Sequence, residues 1–473
     1  MKTAGIDWFW PILTKTVRYY LDPFGCVKNQ VDAETMMGAL DKSGWAAATD
    51  PAEADLIIIN SCGFIQAAKQ ESINAVLGYK KAYPEKKVLL AGCLAQRYVS
   101  ELAESLPEAD LFFGNRDLSR ITDAVYSALH GDGRVLVPER GAGEKAEALP
   151  PSGERPLLSM PGSAYVKISE GCNNRCSFCA IPLIRGPQRS RPVEHIVREC
   201  RQLLDRGIVE LNLIGQDLGS YGIDISRNKG ALPQLLEALS RLAGPFWVRL
   251  LYIHPDNFPR PILDIIRQDP RFLPYFDLPF QHGSSRILRA MNRRGNSETY
   301  LSLIDEIRRV LPDGVIRSTF LTGFPGETEE DFRALLEFQE KARLDWLGVF
   351  VYSREEDTPA YALKGRVPGK LAAARKSLIE EHQIPITRER MERFIGRELA
   401  VLVEESFPPP DPAAPEEGDL YLGRLFSQAP EVDGAAVIRA EGELVPGTLI
   451  RGRVFARAGF DLEVAALPGG PAS

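Results

Sequence analysis

The chain of 473 residues contains only seven cysteines and no apolar run that approaches the roughly 18 residues of a membrane-spanning helix. So few cysteines in so long a chain exclude a small scaffold held together by disulfides. The apolar stretch from Trp8 to Leu13 is short, is followed by Lys15 and lacks a small-residue cleavage site. We therefore expect no export signal and no membrane partner, and a cytoplasmic protein whose thiols stay reduced.

Lysine is missing from the end of the chain, since none follows Lys376. The whole chain carries a net charge of −7. From residue 391 onward there are 7 arginines against 14 acidic residues, so this last segment carries all of the net negative charge. The content of 44% hydrophobic and 26% charged residues is ordinary for a folded protein and excludes a mainly disordered chain.

The first part of the chain, residues 17–135, alternates between strand and helix patterns. Strands are predicted at residues 17–21, 54–60 and 87–91, and helices at residues 33–42, 65–83 and 96–105. The middle strand is a nearly continuous apolar run, which is typical of a strand buried in a parallel sheet. Alternation of this kind predicts a doubly wound α/β domain.

A segment rich in Gly, Pro, Ala and charge, residues 139–162, is predicted to be a linker. The alternation resumes in residues 158–390. The predicted strands are residues 164–168, 210–214, 247–252, 275–279, 315–321 and 346–352, and the predicted helices are residues 192–206, 232–242, 261–266, 300–310, 330–341 and 368–393. Six βα repeats predict an open, partial (βα)6 barrel.

The last part of the chain, residues 391–468, contains short apolar runs at residues 399–403, 436–438 and 449–454. Turns rich in Gly, Pro and acidic residues separate these runs, and residues 408–412 form a proline-rich loop. This pattern predicts a small β-barrel.

Three cysteines of the first part, Cys26, Cys62 and Cys93, each come just after a predicted strand. Because ligands bind beyond the carboxyl ends of the strands in open parallel sheets, we expect these thiols to converge at one edge of the sheet. The alternative is that they are three small apolar residues at the ends of strands.

Three further cysteines, Cys172, Cys176 and Cys179, have the spacing CxxxCxxC directly after the first strand of the barrel. Soft thiolates at this spacing can hold three irons of a 4Fe–4S cluster and leave the fourth iron open to a small molecule. A structural zinc site would usually need a fourth Cys or His nearby. The nearest candidate, His195, is predicted to lie on the surface of a helix.

This motif, with an aromatic residue before its last cysteine, resembles that of the radical S-adenosylmethionine (SAM) enzymes. The resemblance implies that Cys172, Cys176 and Cys179 hold a 4Fe–4S cluster whose open iron binds the amino and carboxylate groups of SAM. In those enzymes one electron then breaks a carbon–sulfur bond of SAM and yields a 5′-deoxyadenosyl radical.

The other two parts of the chain are similar to those of the radical SAM methylthiotransferases. The segments GCVKNQVDAE at Cys26, NSCGFI at Cys62 and AGCLAQR at Cys93 resemble the three cysteine motifs of the amino-terminal domain of that family, and residues 391–468 resemble a TRAM domain. Asp22-Pro23-Phe24 departs from the Ser-Leu-Gly-Cys run that is usual before the first cysteine, and residues 1–16 match nothing in the family.

The resemblance implies that Cys26, Cys62 and Cys93 bind a second, auxiliary 4Fe–4S cluster. It also implies that two SAM molecules are used, one to methylate sulfur on the auxiliary cluster and one to generate the radical. The protein then positions the reactants and excludes water, and no side chain is assigned as a catalyst. The electron donor expected for the family is a flavodoxin or a ferredoxin.

The family divides mainly into enzymes of the RimO type, which modify the β-carbon of an aspartate in ribosomal protein S-twelve, and enzymes of the MiaB type, which modify an isopentenyl-adenosine beside the tRNA anticodon. A barrel that docks tRNA should present Lys and Arg to phosphates, whereas an acidic barrel fits a basic ribosomal protein. Residues 168–182, 185–191 and 429–434 also look like the RimO form. The ribosomal protein is therefore the predicted substrate, with the tRNA as the alternative.

Gln281 and Gly323 follow two predicted strands of the barrel and are assigned to the SAM pocket, although Gly323 also fits a plain turn in which Thr328 caps the next helix. The pair Gln216-Asp217 fits either a contact with SAM or substrate or a plain loop. His282 is expected to be a structural hydrogen-bonding residue, and Cys200 a buried apolar one.

The pair Arg293-Arg294 is predicted to lie in a solvated loop.

Two other functional classes remain open. An iron–sulfur electron carrier would explain six cysteines but has no need of a six-repeat barrel or an acidic docking domain. A zinc-binding adaptor would contain zinc and lack the visible absorption of iron–sulfur clusters.

Overall fold

The computed structural model of the protein describes residues 17–131, 133–137, 154–226, 231–407 and 419–468. These residues form two compact units, residues 17–137 and residues 154–468. Residues 1–16, residues 139–153 of the predicted linker and the predicted loop at residues 408–412 lie outside the described residues. Within the described part of the chain, no helix is long and apolar enough to cross a membrane.

The first unit is a doubly wound α/β fold, as predicted. Its strands are β1 (Arg18–Pro23), β2 (Ala46–Ala47), β3 (Leu56–Ser61), β4 (Lys87–Gly92), β5 (Leu111–Gly114) and β6 (Val135–Leu136), and its helices are α1 (Val27–Lys42), α2 (Gln66–Ala82), α3 (Cys93–Ser105) and α4 (Ile121–His130). The six strands form one parallel sheet in the order β2-β1-β3-β4-β5-β6. Leu56 and Ile58 pack into the core on one face of β3, and Ile57 and Ile59 into the core on the other. Burial on both faces explains why the run is apolar at successive positions.

The second unit begins with a six-stranded parallel sheet. In chain order its elements are β7 (Ser163–Lys167), β8 (Ser169–Glu170), α5 (Ile181–Arg185), β9 (Arg189–Ser190), α6 (Val193–Asp205), β10 (Glu210–Ile214), α7 (Ile223–Ser226), α8 (Ala231–Leu239), β11 (Trp247–Leu251), α9 (Ile262–Gln268), β12 (Phe272–Asp277), α10 (Ser285–Ala290), α11 (Ser297–Val310), β13 (Val315–Thr322), α12 (Glu329–Ala342), β14 (Trp346–Val351) and α13 (Gly369–Glu392). The strand order is β14-β13-β12-β11-β10-β7, so β7 and β14 are the two edges and the sheet stays open. This agrees with the prediction of six βα repeats in an open barrel.

A closed β-barrel completes the second unit. It consists of β15 (Glu398–Phe407), β16 (Asp419–Leu425), β17 (Ala436–Ala440), β18 (Leu449–Ala458) and β19 (Asp461–Ala466), joined in the order β15-β16-β17-β19-β18. The sequence pattern predicts parts of β15, β17 and β18 and misses β16 and β19. In β16 the residues Leu420, Tyr421 and Leu422 are consecutive, so the alternation that marks a half-buried strand is blurred.

The closed barrel shares a hydrophobic core with the amino-terminal ends of the parallel strands. Trp247 and Trp346 are the first residues of β11 and β14, and both are buried in one cluster with Val401 and Ile438 of the closed barrel. The Nε1–H of Trp346 donates a hydrogen bond to the carbonyl oxygen of Ser427 at 2.7 Å. The two parts therefore pack as one body.

A buried group of charges lies in the same contact. Glu210, the first residue of β10, is fully buried and pairs with Arg424 at 2.6 Å and with Arg249 at 3.0 Å. Arg424 also pairs with Glu404 at 2.7 Å. Although burial by itself would raise it, the guanidinium groups of Arg424 and Arg249 hold the pKa of Glu210 well below its usual range.

The end of the predicted linker is not a free spacer. Arg155 is buried, pairs with Glu199 of α6 and donates a hydrogen bond to the carbonyl oxygen of Tyr165 at 2.6 Å. The composition of residues 139–162 predicts a linker, but the Arg155–Glu199 ion pair fixes this part against the parallel sheet.

We expect the substitution Glu210→Gln to lower the free energy of unfolding of the second unit by about 3–5 kcal/mol, because it leaves the buried guanidinium group of Arg249 without a carboxylate and Arg424 with Glu404 alone. Guanidinium chloride unfolding followed by tryptophan fluorescence measures the change, since Trp247 and Trp346 lie in this core. Glu398→Gln is the matched control, because Glu398 also pairs with two arginines, Arg451 and Arg453, but on the exposed surface. Equal unfolding midpoints for the two variants would contradict the assignment.

Candidate functional site

The candidate site of the second unit is the loop that carries Cys172, Cys176 and Cys179, beyond the carboxyl end of β7. Gly171 starts this loop with φ of +75°, and a Cβ atom there would lie 2.2 Å from the carbonyl oxygen of Pro187, so only glycine fits. The N–H of Cys172 donates to the carbonyl oxygen of Gly186 at 3.2 Å. The backbone of the loop is therefore held at its start.

The three thiols of the loop are free and partly buried. Burial, together with the neighbouring thiol of Cys176, raises the pKa of Cys172 to about 11 and that of Cys179 to about 12. The backbone N–H of Asn174 lies 3.4 Å from Sγ of Cys172 as a donor. Groups with pKa values this high need a cationic centre beside them before they are present as thiolates near pH 7.

The donor set fits an iron–sulfur cluster. Among the residues that the structure describes, no three His, Cys, Asp or Glu side chains are arranged closely enough to hold a single metal ion. A 4Fe–4S cluster distributes its cysteine ligands over different irons and so accepts a wider arrangement of soft thiolates. The loop with three free cysteines suits such a cluster better than a single zinc ion.

The carboxylate of Asp217 holds the cysteine loop in place through hydrogen bonds. It accepts hydrogen bonds from the side chains of Asn174 and Asn257, each at 2.7 Å. It also accepts from the backbone N–H groups of Gly219 and His254, each at 3.0 Å. The sequence leaves two interpretations of Gln216-Asp217, a contact with SAM or substrate and a plain loop. The contacts of Asp217 favour the plain loop, because both of its carboxylate oxygens accept hydrogen bonds from neighbouring protein groups.

The base of the loop contains a second buried carboxylate, Glu170. It pairs with Lys167 at 2.8 Å and with Arg185 at 2.9 Å, and it accepts a hydrogen bond from Nε2 of Gln216 at 2.9 Å. Burial opposes its ionisation, but Arg185 and Lys167 hold the pKa of Glu170 well below its usual range. A charged network therefore joins β8 to α5 and to the end of β10.

The prediction for Arg293 is wrong. Arg293 is 4% exposed and donates a hydrogen bond from Nη1 to the carbonyl oxygen of Pro279 at 2.7 Å, whereas Arg294 is exposed as predicted. Burial raises the pKa of the Cys176 thiol, and the charge of Arg293 opposes this rise. A pair of adjacent arginines carries no pattern that tells which one turns inward, so the sequence could not reveal this cation.

His254 is a second residue of the site that the sequence analysis missed. Its Nε2 lies 3.8 Å from Sγ of Cys176. Burial, together with the positive charge of Arg293, lowers the pKa of His254 to about 4, so the ring is neutral near pH 7. The sequence does contain one signal for His254. It comes just after the predicted strand at residues 247–252, and ligands bind beyond the carboxyl ends of such strands.

The two residues assigned to a SAM pocket lie at the same end of the sheet as the cysteines. Gln281 is buried, has φ of +72° and bridges to β13 through its backbone. Gly323 has φ of +75°, and a Cβ atom there would lie 2.5 Å from Cβ of Ala372. Thr328 caps α12 in a capping box, so the turn in the alternative interpretation is present. Contact with SAM stays a prediction for both residues.

The two remaining residues behave as expected. His282 is fully buried, and its Nδ1 accepts the backbone N–H of Ser284 at 2.9 Å, which is a structural hydrogen bond. Cys200 lies on α6 and is fully buried in the hydrophobic core.

In the first unit, the loops of Cys26, Cys62 and Cys93 meet at the carboxyl edge of the sheet. Cys26 directly precedes α1, Cys62 directly follows β3, and Cys93 is the first residue of α3. A Cβ atom at Gly25 would lie 3.0 Å from Cβ of Cys62, and one at Gly63 would lie 2.8 Å from the carbonyl group of Cys93. Glycine lets the three loops approach this closely.

Two asparagines surround the thiol of Cys93. Nδ2 of Asn115 donates to Sγ of Cys93 at 3.2 Å, and Oδ1 of Asn29 lies 3.4 Å from the same sulfur. Nδ2 of Asn29 donates to the carbonyl oxygens of Phe24 and Ser61 at 3.1 and 3.0 Å. Asn29 therefore joins all three cysteine loops, and hydrogen bonds to sulfur are typical of the surroundings of iron–sulfur clusters.

We expect Cys172→Ala, Cys176→Ala and Cys179→Ala each to lose the iron held by the barrel loop after anaerobic reconstitution, roughly four atoms per chain. Iron analysis and the visible absorption of the cluster measure the loss. Cys200→Ala is the matched control, because Cys200 is a buried thiol in the hydrophobic core of the same unit. Undiminished iron in all three loop variants would contradict the site.

Three family models match the chain. Residues 18–114 match the uncharacterized protein family UPF0004, residues 166–338 match the radical SAM superfamily, and residues 395–466 match the TRAM domain. Together the three matches cover most of both units.

Curated relatives match the chain over nearly its full length. The chain is 48% identical to the ribosomal protein uS12 methylthiotransferase RimO of Treponema denticola, over 94% of this chain and 100% of that protein. It is 42% identical to the protein of the same name from Moorella thermoacetica, over 90% of this chain and 94% of that protein.

Among solved structures, the chain resembles the radical SAM methyltransferase TsrM from Kitasatospora setae, solved with tryptophan and a SAM analogue bound. The TM-score is 0.55 at 15% identity, over 73% of this chain and 75% of that one. At this level of identity the likeness shows the fold alone.

Proposed function

The chain belongs to the family of ribosomal protein uS12 methylthiotransferases, and we propose that it adds a methylthio group to the β-carbon of an aspartate in ribosomal protein uS12. The observation that carries the proposal is 48% identity to such an enzyme over the whole of that enzyme, with all three family models matched in order. It is a transferase that uses radical SAM chemistry. The tRNA alternative is not favoured.

The barrel loop has the residues for the radical part of the reaction. Cys172, Cys176 and Cys179 would hold a 4Fe–4S cluster which, when bound, supplies the electron that cleaves SAM. Asp217 and Glu170 fix the loop from two sides, and Arg293 places a buried positive charge beside the thiolates. We assign Gln281 and Gly323 to the SAM pocket, because both lie at the carboxyl ends of strands in the same sheet.

The first unit would supply sulfur. Cys26, Cys62 and Cys93 lie on loops in mutual contact, and Asn115 donates a hydrogen bond to one of the three sulfurs. We assign to them an auxiliary 4Fe–4S cluster with an open iron. Such a group would carry the sulfur that is methylated, which a methylthio transfer requires in addition to the removal of hydrogen from carbon.

The closed barrel would dock the substrate. In its described residues Glu405, Asp419, Glu441 and Glu443 are exposed, and the segment from residue 391 onward has a net charge of −7. Long-range attraction of this kind favours a basic protein and disfavours the phosphates of tRNA. The electron donor in this proposal is a small flavodoxin or ferredoxin.

We expect the reduced, anaerobically reconstituted protein with SAM and sulfide to add a methylthio group to an aspartate of ribosomal protein uS12. The tRNA that lacks the methylthio group is offered in parallel, and mass spectrometry reads both substrates. Modification of the aspartate alone supports the proposal. Modification of the tRNA alone would overturn the substrate and leave the radical chemistry intact.

We expect the triple variant Cys26→Ala, Cys62→Ala, Cys93→Ala to keep about half of the iron and to cleave SAM, but to add no methylthio group. The physical reason is that the barrel loop keeps its own thiols while the source of sulfur is lost. Iron analysis, the yield of 5′-deoxyadenosine and mass spectrometry of uS12 give the three readouts. The matched variant Cys172→Ala, Cys176→Ala, Cys179→Ala should keep the other half and cleave no SAM. Unchanged iron in the first variant would rule out the auxiliary cluster.

A further inference from the structure

His254 directs one nitrogen of its ring toward a cysteine of the barrel loop. Its Nε2 lies 3.8 Å from Sγ of Cys176, which is hydrogen-bonding range for a sulfur acceptor. The side chain is buried, so bulk water competes little for either group. A hydrogen bond from the ring to this sulfur therefore requires that Nε2 carries the proton of the ring.

The backbone decides the tautomer of this ring. The N–H of Asp256 donates to Nδ1 of His254 at 3.2 Å, and a nitrogen that accepts a hydrogen bond presents its lone pair. The proton of the neutral ring is therefore on Nε2, the nitrogen that faces Cys176. The same contact caps the short turn Pro255–Asn257, so the side chain is held in this orientation.

One carboxylate sets the distance between the ring and the loop. Oδ1 of Asp217 accepts the backbone N–H of His254 at 3.0 Å, and its Oδ2 accepts Nδ2 of Asn174 at 2.7 Å. Asn174 lies between Cys172 and Cys176 in the loop. Asp217 thus fixes both partners relative to each other.

We propose that His254 is a positioning residue of the cluster site, whose Nε2–H donates a hydrogen bond to the thiolate of Cys176 and favours the reduced form of the cluster. The inference rests on the proposed function, in which Cys172, Cys176 and Cys179 hold the cluster. Reduction by the external one-electron donor adds one negative charge to the cluster and its thiolates. A donor on a thiolate sulfur stabilises the more negative state more strongly, so the reduction potential rises.

A second histidine of the same unit provides a matched comparison. His282 is buried like His254, and its Nδ1 also accepts the backbone N–H of the residue two positions later, Ser284, at 2.9 Å. Its Nε2 lies 3.5 Å from Glu327, so it faces a carboxylate and not a thiol. A substitution at His282 therefore repeats the structural change without removing a donor to sulfur.

The test uses the full chain in a Cys26→Ala, Cys62→Ala, Cys93→Ala background, so that only the cluster of the barrel loop is loaded. His254→Asn keeps an oxygen that can accept the N–H of Asp256, since asparagine is a good capping residue, but it is too short to reach Cys176. His254→Gln keeps both the acceptor and a donor of the required length. His282→Asn is the control.

Redox titration followed by electron paramagnetic resonance, without SAM or substrate, measures the potential. At a fixed applied potential we expect His254→Asn to lower the ratio of reduced to oxidised cluster about tenfold, which is about 59 mV for one electron. His254→Gln and His282→Asn should stay close to the parent. The coupling of an exchangeable proton in the electron–nuclear double resonance spectrum should disappear in His254→Asn and persist in His254→Gln.

The outcomes separate the inference from the proposed function. A parent background that loads no cluster overturns the proposed function and the inference with it. A loaded cluster whose potential is the same in His254→Asn and in the parent overturns the inference alone. An equal shift in His254→Asn and His282→Asn also overturns it, because the effect would then follow from packing and not from the bond to sulfur.

Discussion

Parallel strands impose one constraint on which both candidate sites depend. Each strand of a parallel sheet must be followed by a crossover before the next one, so the loops that leave the carboxyl ends gather at one edge. In the first unit this edge brings together the loops of Cys26, Cys62 and Cys93, and in the second it carries the loop of Cys172 to Cys179. Residues that are far apart in sequence are thus brought together by the topology of the sheet, although no local sequence pattern links them.

Hydrogen bonds from buried polar groups hold the cysteine loops that the topology brings to one edge of each sheet. Asp217 holds the cysteine loop and the backbone of His254, and Asn29 joins the three loops of the first unit. Each of these side chains is nearly inaccessible to solvent. An unsatisfied polar group in such a place lowers the free energy of unfolding by about 1 kcal/mol to several kcal/mol. The backbone of these loops is therefore held by hydrogen bonds within the protein itself.

Much of this architecture could be predicted from the sequence because its signals are local. The apolar run at residues 54–60 and the six βα repeats follow from hydrophobic periodicity, and the six cysteines follow from spacing and position. The inward turn of Arg293 and the direction of His254 could not be predicted, because they depend on the carbonyl oxygen of Pro279 and the thiol of Cys176, which only the folded structure brings near. The sequence predicts that Gln281 and Gly323 follow strands of the barrel, which the structure confirms, while their contact with SAM stays a prediction. The strand β16 was missed since three consecutive apolar residues hide its alternation.

The common core of the closed barrel and the parallel sheet has a geometric consequence. The closed barrel packs on the amino-terminal ends of strands such as β11, while the cysteines lie beyond the carboxyl ends. A five-residue strand spans about 17 Å, and no hinge separates the two ends of one strand. The distance between the closed barrel and the cysteine loop is therefore fixed within the second unit. If the closed barrel docks the substrate as proposed, the reactive carbon of the target must lie at that fixed distance from the bound surface, so the folded shape of the target contributes to its recognition along with its sequence.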